Sequence, residues 1–145
     1  MNELDKLATE LSSLMGIPIT PDRNHVCQLK FNQSNISVRL ELDVSQNLHT
    51  LIISVNLGPI GAPTYKERIF DAALSINASF SNCGKGILCY GEVSDSLYIY
   101  EKINLELIQA KKIHERLLEI QKHASIWAIC LPKGETPDLR ELGIS

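Results

Sequence analysis

Gly86-Ile-Leu-Cys-Tyr-Gly-Glu-Val-Ser-Asp-Ser-Leu-Tyr-Ile-Tyr-Glu-Lys-Ile-Asn-Leu105 reads as two strands joined by a turn. Ile87 to Gly91 is the first strand, and Glu92 to Ser96 is dense in residues that bend a chain. The second strand alternates. Leu97, Ile99 and Ile103 share one face, while Tyr98, Tyr100 and Lys102 share the other. An apolar-striped helix follows at once. Working outward, a helix, three strands and a second helix precede the hairpin. The order α-β-β-β-α-β-β-α predicts an α+β fold, with a twisted antiparallel five-stranded sheet and three helices.

The first helix is expected over residues 2–15. Leu4, Leu7, Ala8, Leu11, Leu14 and Met15 recur at helical spacing, and Gly16 and Pro18 stop it. Strands are expected over Val26–Phe31, Ile36–Asp43 and Leu48–Leu57. The middle one alternates without exception: Ile36, Val38, Leu40 and Leu42 against Ser37, Arg39, Glu41 and Asp43. Short polar turns between them imply an antiparallel meander with one buried face. Thr64 and Glu67 have capping-box spacing, so the second helix is expected over Tyr65 to about Phe80. Its wide apolar girth suggests a second partner surface, most simply another subunit. The third helix is expected from about Leu105 to Leu131, roughly 40 Å at 1.5 Å per residue. Residues 1–131 are read as one domain and residues 132–145 as a polar tail.

The chain has 145 residues, 44% of them hydrophobic, and a net charge of −3. That suits one domain with a real core and offers no basic footprint for nucleic acid. The acidic, immediately amphipathic start lacks the basic and apolar blocks of a signal peptide. No apolar run approaches the roughly 20 residues that span a bilayer. A cytoplasmic protein without membrane partners is expected. Cys27, Cys83, Cys89 and Cys130 form no C-x-x-C pair and read as reduced, packed thiols.

Chemistry is hard to find in the residues. His25 and Cys27 lie two apart on a predicted strand and would share a face. No second ligand pair follows, and zinc needs at least three protein ligands. His114 and His123 read as solvated helix residues. Cys89 and Cys130 sit in apolar contexts that would keep their thiols inert. Gly84-Lys-Gly86 lacks the phosphate-loop frame and leads into a strand. Tyr98 and Tyr100 could stack bases, but only Lys102 supplies positive charge beside them. No catalytic site, metal or cofactor is expected. What remains is apolar surface, which could form a groove for an extended peptide beside an exposed strand edge.

The strand, turn, Ser96-Leu-Tyr-Ile99 strand and apolar helix ending near Trp127, in this element order, resemble the class I type III secretion chaperones, the CesT-like and SycE-like proteins. The resemblance covers about Leu4 to about Leu131. It implies a bacterial chaperone that keeps an N-proximal segment of a secreted effector or regulator soluble, extended and secretion-competent, without ATP hydrolysis. It implies a dimer built at the positions matching Ile69, Ala73, Ile76, Leu88 and Tyr90. A heterodimer with a related chaperone stays open. It further implies that the client fills apolar patches matched by Leu7, Leu11, Leu29, Phe31, Val38 and Leu40, and can extend the sheet edge. Alternation alone does not say which of these face outward. Two other classes stay open: a dimeric scaffold or regulator that binds a folded partner, and an enzyme with a dimer-interface site drawn from His25, Cys27 or the tyrosines.

Overall fold

Alternating apolar residues in short segments form strands because each such segment can bury one face and solvate the other. The computed structural model describes residues 3–30, 36–43, 49–79, 86–138 and 140, and its sheet is built that way. After helix α1 (Glu3–Met15) come β1 (Val26–Lys30), β2 (Ser37–Leu42) and β3 (Thr50–Pro59). Helix α2 (Lys66–Asn77), the hairpin β4 (Ile87–Gly91) and β5 (Ser96–Asn104), and helix α3 (Ala110–Cys130) complete the order. The five strands lie in the order β1-β2-β3-β5-β4, and every neighbouring pair is antiparallel. The expected α+β architecture is the observed one.

Val38, Leu40 and Leu42 on β2, Leu51, Ile53, Val55 and Leu57 on β3, and Leu97, Ile99 and Ile103 on β5 are all buried. They pack under the helices in one continuous core. Helix α3 crosses β3 and packs against α1, while α2 lies beside β4. Trp127 is fully buried near the end of α3. Each such side chain contributes about 1.5–3 kcal/mol when removed from water. β3 runs two residues past its expected end, through an irregularity between Asn56 and Gly58 where Gly58 adopts φ +111°.

The helix starts differ from expectation. α3 begins at Ala110, five residues later than its apolar period suggests. Asn104 is the reason. Its side-chain oxygen accepts from the Glu106 N–H at 2.9 Å and its carbonyl from the Leu107 N–H at 3.1 Å, which closes a turn. Leu107, counted as part of the stripe, is exposed. The helix is therefore about 31 Å long rather than 40 Å. At α2 the capping box does not form. Pro63–Tyr65 make a 3₁₀ turn that runs straight into the helix, and no side chain caps it. α2 ends at Asn77, and Phe80 lies outside the described residues. Past α3, the turn Leu131–Lys133 packs back on α2: Arg68 donates to the Gly134 carbonyl at 2.8 Å, and the Tyr65 ring covers Gly134.

Candidate functional site

A sheet has two edges, each with a row of main-chain groups that lack a neighbour strand. At each edge one residue has its main chain taken up by a residue outside the strand. At β4, the Asn77 side chain donates to the Leu88 carbonyl and accepts from the Leu88 N–H, both at 2.8 Å. One amide thus stands in for a neighbouring strand and ties α2 to the edge. At β1, Asp22 holds only the first residue: the Val26 N–H donates to Asp22 Oδ1 at 3.1 Å, and the Asp22 N–H donates to the Val26 carbonyl at 2.9 Å. Val26 therefore points its main chain outward, and by the two-residue period so do Gln28 and Lys30. Neither has an edge-side backbone partner among the described residues. Both side chains are exposed and polar. β1 is a short, solvated edge with pairing groups to spare.

The apolar residues named for client binding are mostly interior. Leu7, Leu11, Leu29, Val38 and Leu40 are all buried in the chain's own core. Phe31 lies outside the described residues. The residues named for a dimer are placed similarly. Ile69, Ala73, Ile76 and Leu88 fill the core beneath α2 and β4, and only Tyr90 is half-buried. Exposed apolar side chains on these same two elements are Leu74, 67% exposed, and Ile87, 57% exposed. Leu74 belongs to the wide apolar girth of α2 from which the sequence suggests a partner surface, whereas Ile87 is singled out by nothing in the sequence. On the sheet face away from the helices, Ile87 and Cys89 lie beside the half-buried rings of Tyr98 and Tyr100.

A groove of about 770 Å³ opens between α1 and the approach to α3. Leu7, Leu14, Leu105, Ile108 and Ile113 line it, and Lys6, Glu10 and Lys111 stand at its sides. The sequence signal for it was present but misread, since Leu105 and Leu107 were counted as helix.

The titratable groups argue for structure. Burial, with Asp22 and Asp5 nearby, pushes the Cys27 thiol up to about 11, so it stays protonated at neutral pH. His25 does not share its face. It sits before β1 in a left-handed turn, φ 60°, set by Asp22. His123 is buried rather than solvated, and its Nε2 accepts from Trp127 Nε1 at 3.1 Å. Cys89 is exposed on the outer sheet face, contrary to its apolar sequence context. At the hairpin turn, Tyr90 donates to Asp95, and Lys66 reaches the same carboxylate at 3.1 Å. Together they hold Asp95 below the usual carboxylate range, the Tyr90 hydrogen bond most of all. Glu101 points inward between Ile99 and Ile103 and pairs with Arg116 of α3. Burial raises its pKa against the opposing pull of Arg116. Among the described residues no three His, Cys, Asp or Glu side chains cluster to hold a metal. No helix among them is long and apolar enough to cross a membrane.

A leading helix, three antiparallel strands, a second helix, a hairpin and a closing helix define a small α+β domain with an open β1 edge. The family model described as "Tir chaperone protein (CesT) family" matches residues 6–128, and the chain belongs to that family. No curated protein matches it in sequence. Several solved structures share its fold. One, the "Crystal Structure of the ExsC-ExsE Complex", aligns at TM-score 0.70 and 15% identity over 90% of this chain and 94% of that one. The "Structure of the HopA1-SchA Chaperone-Effector Complex" aligns at 0.66 and 16% identity, over 86% and 91%. The "Structure of ExoT-SpcS Complex from Pseudomonas aeruginosa" aligns at 0.63 and 20% identity, over 86% and 97%.

Proposed function

We propose that this protein is a cytoplasmic type III secretion chaperone. It binds an extended N-proximal segment of a secreted effector or regulator and keeps it soluble and secretion-competent. The observation that carries the reading is the β1 edge, where Gln28 and Lys30 have no edge-side backbone partner among the described residues and leave room for a sixth strand. Membership of a chaperone family supports it, as does a fold relative whose structure is described as a chaperone–effector complex. The action is passive binding, without ATP hydrolysis, catalysis or a cofactor. Residues 1–131 act as the chaperone domain and residues 132–145 as its tail.

The chaperone works as a dimer, joined at the α2–β4 end of the sheet. Ile69, Ala73, Ile76 and Leu88 support that surface from within, and Tyr90, Leu74 and Ile87 meet the partner. The sequence-named client residues act in the same indirect way. Leu29, Val38 and Leu40 hold β1 and β2 flat beneath the open edge, and Leu7 and Leu11 seat α1.

The test is native mass spectrometry of tagged protein from its own cells, followed by limited proteolysis. Two chains carrying a polypeptide that protease trims to one protected segment are expected. Gln28→Pro, which removes one edge N–H, is expected to lose that segment while the thermal midpoint holds. A bare single chain, a small-molecule cargo, or a client that ignores Gln28→Pro would overturn the reading.

A further inference from the structure

Helix α2 has a thin apolar hold on the sheet. Of its twelve residues Ile69, Ala73 and Ile76 are buried, and one of these is an alanine. No side chain caps its start, and no basic residue stands in its last turn to offset the dipole. A helix this short draws most of its stability from packing, so polar ties weigh heavily in where it lies. Two of them lead to the hairpin: Asn77 bonds the Leu88 main chain at the far end, and Lys66 meets Asp95 at 3.1 Å at the near end. A further tie comes from beyond α3. Arg68 donates to the Gly134 carbonyl at 2.8 Å, sixty-six positions along the chain.

That carbonyl belongs to a segment of defined shape. The Gly134 N–H donates to the Leu131 carbonyl at 3.2 Å and the Glu135 N–H to the Cys130 carbonyl at 3.1 Å, so the chain turns back as soon as α3 ends. Gly134 is left-handed, φ +68°, and a Cβ there would lie 2.6 Å from the Tyr65 ring. A Cβ on Gly61, in the loop before α2, would lie 3.0 Å from the Pro132 carbonyl oxygen. The segment therefore meets the approach to α2 without a side chain of either glycine between them. Leu131, Gly134 and Pro137 are buried. Residues 132–137, read from the sequence as the start of a polar tail, are seated on the domain.

We propose that residues 131–137 are a strap that sets the position of α2 and through it controls subunit association, with Tyr65, Arg68 and Gly134 as its positioning residues. The inference rests on the dimer reading above and names what regulates that surface. A helix of this length moves as one body. Gripping it at Arg68 therefore fixes the place of Leu74, roughly 9 Å further along at 1.5 Å per residue. Ile87 belongs to β4, so an unseated strap changes the spacing between Leu74 and Ile87. In a two-fold dimer each subunit presents the same surface, and the change enters twice.

The test uses the two-subunit complex from its own cells, diluted in steps under sedimentation velocity, with hydrogen exchange read along the chain. Gly134→Ala is expected to speed exchange over residues 66–77 and to leave the amides of β2 and β3 protected. It should raise the subunit dissociation constant by roughly tenfold or more. Arg68→Ala loses one hydrogen bond per copy of this chain, roughly tenfold in the same constant for two copies. Arg68→Lys, which can still donate, should recover most of that loss. Arg68→Ala placed on Gly134→Ala should add little, because both act through one contact. Additive losses would mean that Arg68 touches the partner directly, and would overturn the proposal. So would an unchanged dissociation constant in either single variant, or exchange that rises evenly over the whole chain. The dimer reading fails separately. A wild-type preparation holding one chain and no second subunit retires that reading, whereas a dimer indifferent to Gly134→Ala retires the strap alone.

Discussion

The meander and the hairpin are both antiparallel and both pack under helices, yet they obey the alternation rule differently. From Cys27 to Leu42 the outward residues of β1 and β2 are Gln28, Lys30, Ser37, Arg39 and Glu41, and every inward one is apolar; only Val26, in phase with Gln28, is an apolar residue off the inward face, and it is buried at the start of β1. In β4 and β5 the rule breaks on both faces. Ile87, Cys89, Tyr98 and Tyr100 face outward, and Glu101 faces inward to meet Arg116. A strand with polar residues outward needs nothing but water on that face. A strand with exposed isoleucine and half-buried tyrosine outward is finished only by another surface. The meander therefore offers its edge, through main-chain groups, and the hairpin end offers its side chains.

The largest test of this contrast is a core substitution set against a surface one. Ile53→Ala, fully buried on β3, is expected to cost about 2–5 kcal/mol in urea unfolding. Ile87→Ala, on the outer face of β4, is expected to stay within about 0.5 kcal/mol for the folded chain and to weaken subunit association instead. Equal losses of stability would erase the distinction between the two positions.

A smaller effect separates the two carboxylates of the hairpin by pH. The folded-state pKa of Glu101 is raised by burial, so the native chain holds that proton more tightly than the unfolded chain. Its contribution to stability is fully present below the unfolded value of about 4.3 and fades as pH rises through the folded one. Asp95 is the reverse. Its pKa is lowered, so its contribution is present above the unfolded value and is lost as pH falls through the folded one. Between pH 7 and pH 3, acidification should therefore favour wild type over Glu101→Gln, and Asp95→Asn over wild type. Chemical denaturation across that range reads the sign directly, and parallel trends for the two variants would contradict the assignment.

The smallest effect is expected at Thr64. A working helix cap is worth about 0.5–2 kcal/mol, but Thr64 makes no cap bond here. Thr64→Ala should change the thermal midpoint by no more than an ordinary surface substitution. A loss of a full kilocalorie would restore the capping box that the structure lacks.

Most of the fold was legible because its strands carry a two-residue period and its helices a helical one. Val38, Leu40 and Leu42, set against Arg39 and Glu41, admit one pairing register, since a slip of one residue would turn every leucine to water. The helix starts were less legible. Periodicity carries apolar spacing but not backbone bonds, so it could not show that Asn104 closes a turn or that Pro63 opens a 3₁₀ turn. The candidate site was least legible, because a leucine in phase with a stripe is written the same way whether it is buried or bare. Leu74 and Ile69 lie on one helix, at 67% and 0% exposure.

By itself, then, the sequence determined the element order, the buried face of each strand and the family resemblance, all of which rest on local periodicity. Tertiary structure alone placed the Asn77 side chain on the main chain of Leu88, eleven positions further along the chain. It alone brought Lys6 and Lys111 to one groove, more than a hundred positions apart in the chain. Both depend on how helices and strands come to lie against one another, and no local pattern of hydrophobicity or charge encodes them.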